Sequence, residues 1–171
     1  MTYNIHPLFV HFPIALLIVY SAIAILPLRK WIPQFVWRQI QQVVLLLGVL
    51  GAMLANSTGE IAEELVRPDR ALVEMHSLFA NASTWIYGIL LAGEVLFYLN
   101  TFLQKRGLLS SLAPFLVWVE KLITHRGINI LLAVLGVVAI SVTGLLGGVM
   151  VYGVSADPVA PFVMKLLGLS I

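Results

Sequence analysis

The amino-acid sequence predicts an all-α integral membrane protein: a four-helix transmembrane bundle with short interfacial helices, forming one domain over residues 1–171. Three observations carry that prediction. Of the residues, 60% are hydrophobic and 11% charged, and the mean hydropathy is +1.00, far from the balance of a soluble domain. Four segments, roughly 7–27, 39–57, 76–103 and 127–152, reach the length of about 20 apolar residues that a helix needs to cross a bilayer. The stretches between them are too short to form a second domain.

The first span opens His6-Pro7-Leu8-Phe9-Val10-His11-Phe12-Pro13. Pro7 suits a first helical position, where its missing N–H costs nothing, whereas Pro13 removes a backbone bond and should loosen the turn around Phe9 to Phe12. No Lys or Arg precedes this span and no small-residue cleavage site follows it, which predicts a retained helix rather than a removed signal peptide. The second span carries Gly48, Gly51, Ala52 and Ala55, a small-residue face that admits another helix or a flat ligand. Ser57 followed by Glu60 reads as a capping box, predicting a short surface helix that breaks at Pro68, after which Asp69 caps the third span. On that third helix His76, Ala80, Ser83, Tyr87, Leu90 and Glu94 recur on one face, predicting a polar stripe turned inward, with Glu94 paired to Arg38 or part of a proton path. The apolar piece 112–123 reads as an interfacial helix. In the fourth span Gly144-x-x-x-Gly148 has the spacing that permits a close helix crossing, and the apolar tail 159–171 is too short to span.

Counting basic residues sets the expected orientation. Arg29, Lys30, Arg38, Lys105, Arg106, Lys121 and Arg126 fall on one side and Arg67, Arg70 and Lys165 on the other, so the first side should be cytoplasmic and both termini outside. Zero cysteines exclude a disulfide framework, thiolate metal sites and covalent c-type haem. A formal charge of +2, spread along the chain, leaves no footprint for nucleic acid.

Of the four histidines, His6, His11 and His76 gather at the expected outer end of the bundle. Ionisable groups in spanning helices usually face a bundle interior, a cofactor or a water-filled cavity. Imidazole is a good ligand for iron, copper or zinc, and bundles commonly hold haem between facing helices. His11 and His76 are the candidate axial ligands of a b-type haem, since His11 lies inside its helix while His6 is better placed as an N-cap or supporting group. Phe9, Phe12, Phe79 and Trp85 are candidate apolar walls, Arg67 and Arg70 candidate partners for propionates, and Tyr152 joins them on the same side. Five residues separate His6 from His11, roughly 140° apart on an ideal helix, which counts against a compact copper or zinc site on His6, His11 and His76 without excluding it. Histidines that only cap helices at headgroup level remain the alternative. His125 stands beside Arg126 on the basic side, without a histidine partner.

The opening motif from His6 to Leu16 strongly resembles the start of a bacterial membrane family catalogued as domain of unknown function 2231. The likeness extends to Thr58-Gly59, to His76, and to Gly147-Gly148-x-x-Val151-Tyr152. It implies a four-helix bundle of the bacterial inner membrane that keeps redox company, including c-type cytochrome domains. Many members carry a histidine shortly after the tyrosine, whereas here Tyr152 leads into Gly153-Val154-Ser155, so a ligand at that position is absent.

Three functions stay open. The first is a b-type cytochrome passing electrons near the outer face to or from a quinone or a partner protein. The second is a membrane protein that handles or senses copper or zinc. The third is a structural subunit of a larger redox or photosynthetic assembly, with a homo-oligomer also open. No grouping of nucleophile, base and oxyanion donors can be assembled for an enzyme.

Overall fold

A computed structural model describes residues 5–66, 68–107 and 113–169. Its elements are α1 (His6–Ile25), α2 (Leu28–Trp31), α3 (Trp37–Val66), α4 (Arg70–Lys105), α5 (Ala113–Thr124), α6 (Arg126–Tyr152), a 3-10 turn (Val154–Ala156) and α7 (Ala160–Leu166), with no strand among the described residues. Helices α1, α3, α4 and α6 are long and apolar enough to cross a membrane, as the hydropathy requires, so this is a multi-pass membrane protein. They close into a ring in which α1 packs on α3, α3 on α4, α4 on α6 and α6 on α1, leaving α1 and α4 on one diagonal.

Several local expectations resolve differently. Helix α1 runs unbroken through Pro13, which lies buried against α3 where Gly51 leaves space: a Cβ there would sit 3.2 Å from the proline ring. Helix α3 does not stop at residue 57. Ser57 Oγ donates to the Met53 carbonyl at 3.0 Å and Thr58 Oγ1 to the Ala55 carbonyl at 2.9 Å, so both hydroxyls serve the helix they stand in and the expected cap does not form. The glutamates and alanine that follow are good helix formers, and the helix stops at Val66, ahead of Pro68, where backbone geometry demands it. Asp69 then caps α4 as expected, accepting from the N–H groups of Ala71 at 2.9 Å and Leu72 at 3.2 Å.

The inward stripe on α4 forms the middle of the bundle. Tyr87 is buried beside Leu17, Leu45 and Ile140, and its hydroxyl shares a 2.8 Å hydrogen bond with Ser21 on the diagonal helix. Tyr20 meets the same ring edge to face, with centroids 6.1 Å apart, and accepts from Asn129 Nδ2 at 2.8 Å. At the basic end Glu94 takes a 2.6 Å hydrogen bond from Gln42 and pairs with Arg38 at 3.5 Å.

Helix α5 folds back antiparallel to the end of α4. Ile123 fills the notch left by Gly93, and Asn100 Nδ2 donates to Glu120 at 2.8 Å. At the opposite end Gly153, at φ 81°, ends α6 in a conformation that favours glycine. Helix α7 then returns so that Ala160 and Met164 pack with Leu72, Leu146 and Val149, bracing the α4–α6 pair from its flank.

Candidate functional site

At the end of the bundle where α1 and α4 begin, the ring of helices opens into a cavity of about 420 Å³ lined by His6, His11, His76 and Tyr152. That is within the range of roughly 300–1,000 Å³ found for small-molecule and cofactor sites. The four residues come from three helices, and the two favoured ligands from the diagonal pair. A second cavity, also about 420 Å³, adjoins it between α3 and α4; His6 and His76 line both, and this one adds Glu60, Glu63, Ser77 and Asn81.

The hydrogen bonds of the imidazoles define their chemistry. His11 Nδ1 lies 2.6 Å from the Pro7 carbonyl and His76 Nδ1 lies 2.9 Å from the Thr143 carbonyl. A carbonyl can only accept, so in each ring Nδ1 carries the proton. His6 Nδ1 lies 3.0 Å from Thr58 Oγ1, and the Ala55 carbonyl that accepts from that hydroxyl also bonds the His6 imidazole. Assigned from this network, His11 and His76 in their neutral form keep the lone pair on Nε2. That is the tautomer of a metal-ligating histidine, with the other nitrogen held by an oxygen acceptor.

Small residues keep the space open. A Cβ at Gly147 would lie 3.3 Å from His76 Cε1 and one at Gly59 would lie 3.6 Å from His6 Cε1, so both glycines leave room for a ring. Gly144 and Gly148 also line the cavity, and a Cβ at either would meet nothing within 4 Å among the described residues. The spacing that permits a close crossing leaves a gap at these two positions. The expected aromatic walls do not form. Phe12 and Trp85 are exposed, Phe9 is absent from the lining, and Phe79 packs with the cluster around Leu72. Val10, Ile14, Ala52, Ala55 and Ile140 line the cavity instead.

Arg70 takes no part in the lining. It donates to Glu74 one turn along its own helix at 3.0 Å, with its side chain 92% exposed. Arg67 lies outside the described residues. Tyr152 stands at the mouth, mostly exposed, and His125 flanks α6 at the far end of the bundle. Among the described residues no three His, Cys, Asp or Glu side chains lie close enough together to hold one metal ion.

The sequence reading missed Thr58 as the anchor of His6 and the Asn56 amide, which donates to Asn81 at 3.2 Å and Thr84 at 3.3 Å beside the cavity. An amide inside an apolar span is itself a signal that could have marked Asn56.

Fold and site together define a class: a polytopic membrane helix bundle with a histidine-lined cavity at one end. Residues 2–157 match the model of a family described as "Predicted membrane protein (DUF2231)", and the chain belongs to that family. No curated protein and no solved structure matches the chain.

Proposed function

We propose that this protein is a b-type haem protein of the bacterial inner membrane that passes electrons one at a time at the histidine end of the bundle, where His11 and His76 would hold the haem iron. The observation that carries this reading is the pair of Nδ1-anchored imidazoles, offered by two diagonal helices to one cavity whose α6 wall includes Gly144, Gly147 and Gly148. Bound there, haem supplies reversible one-electron chemistry. The protein's own part would be to present both rings as Nε2 ligands and to wall the cavity with small residues, among them Ala52, Ala55, Gly144 and Gly148. His6, anchored on Thr58, supports the same cavity. The basic end of the bundle faces the cytoplasm on this reading, which puts both termini and the site outside. A quinone or a redox protein is then the partner, and the glutamates of the adjoining cavity suit a partner with a basic face.

The test is a reduced-minus-oxidised absorption spectrum of detergent-purified protein with a pyridine haemochrome count. One b haem per chain is expected, lost in His11→Ala and in His76→Ala. Haem retained with an unchanged reduced spectrum in His76→Ala would rule that ligand out.

A further inference from the structure

The basic end of the bundle carries a second site that the histidine chemistry does not use. There α1, α3 and α6 surround a cavity of about 240 Å³ whose lining includes Arg29, Lys30 and Arg126. Among the described residues none of these three cations pairs with a carboxylate; the only ion pairs are Arg38 with Glu94 and Arg70 with Glu74. Glu94 also lines the cavity, but its charge is already met by Arg38 and by the 2.6 Å hydrogen bond from Gln42. Arg29 is steered by its 2.9 Å hydrogen bond to Gln41 Oε1, which leaves the Gln41 amide hydrogens as further donors. The first turn of α6 adds to this field: its N-cap residue His125 makes no side-chain cap bond, and the positive end of a 27-residue helix lies beside Arg126.

We infer that this cavity binds a phosphate group, as carried by the headgroup of an anionic phospholipid or by free inorganic phosphate. Three uncompensated cations, amide donors and an uncapped helix start form an anion receptor, and basic pockets between transmembrane helices are known homes for anionic headgroups. The surroundings suit a lipid. The cavity opens where the apolar run of α1 ends, with Leu26 in its lining, Ile25 next to it and Trp31 exposed nearby as an interfacial anchor. This inference is independent of any cofactor at the histidine end.

The experiment is native mass spectrometry of the full chain in detergent, titrated with phosphatidylglycerol, with phosphatidylcholine, and with phosphatidylglycerol in the presence of millimolar inorganic phosphate. Phosphatidylglycerol should bind at least about tenfold more tightly than phosphatidylcholine, and Arg29→Gln, Lys30→Gln and Arg126→Gln together should remove that preference. Competition by inorganic phosphate would show that the phosphate group alone suffices; no competition would assign the site to the lipid headgroup. The comparison protein carries Lys105→Gln, Arg106→Gln and Lys121→Gln, which removes the same charge from the same end but not from this cavity. If both triple variants lose the preference equally, or if the native chain shows no preference, the inference is overturned. Arg126→Gln alone, at an exposed position, gives the same readout should the triple variant fold poorly.

Discussion

Helix α6 presents glycine to the bundle at two levels, with opposite results. At the middle of the bundle Gly136 is filled: a Cβ there would lie 2.7 Å from Tyr87 Cζ, and the tyrosine is buried and tied to Ser21. Two to three turns further on, Gly144 and Gly148 meet nothing among the described residues, and the space they leave belongs to the histidine cavity. The same residue type thus closes the bundle at one level and opens it at the other. At the histidine level the α4 partner, His76, meets Gly147, 3.3 Å from where a Cβ would lie, and leaves Gly144 and Gly148 to the cavity.

The largest expected effect comes from filling the open level. Gly144→Leu with Gly148→Leu should abolish cofactor retention, read from the haemochrome, while the circular-dichroism spectrum stays helical. At the closed level Gly136→Ala should lower stability by about 1–3 kcal/mol through overpacking, read from thermal unfolding in detergent, whereas Gly144→Ala should not lower it. Equal losses at the two positions would dissolve the contrast. Tyr87→Phe, which keeps the ring and removes only its hydrogen bond to Ser21, should cost about 0.6 kcal/mol, the average for hydrogen bonds between membrane helices. The smallest effect belongs to Arg70→Ala, whose exposed pair with Glu74 should be worth less than about 1 kcal/mol and whose loss should leave cofactor binding as it was. A drop in cofactor retention in that variant would return Arg70 to the site.

These contrasts explain what could and could not be read from residue order. The four spans, the inward stripe on α4, the Asp69 cap and the Arg38 to Glu94 pair follow from hydropathy, helical period or opposite charge at matching depth, and each is legible locally. The end of the second span is not. Ser57 and Glu60 have the pattern of a cap, but a helix already running through them offers the hydroxyl a carbonyl four residues back, and no breaker intervenes before Pro68. The gathering of His6, His11 and His76 follows from antiparallel topology, so composition and order suffice to bring them to one end. Which aromatic rings wall the cavity does not follow, because Phe12 and Trp85 are turned outward by helix rotation that only the packed ring of four helices determines. Gly144-x-x-x-Gly148 was ambiguous for the same reason: the spacing permits a close approach, and the partner helix decides whether one is made.

The acceptors that hold His11 and His76 are main-chain oxygens, those of Pro7 and Thr143. A substitution at either acceptor residue replaces a side chain and leaves the carbonyl where it is. A mutational scan of this protein will therefore pass over the groups that set the two rings, whereas His6 meets the Thr58 hydroxyl as well as the Ala55 backbone. Thr58→Val should weaken the hold on His6 and leave the other two rings as they are. For the other two, the genetic handle is the spacing of the helices themselves, so variants that alter ring orientation should map to helix contacts such as Gly51 against Pro13, away from the histidines they affect.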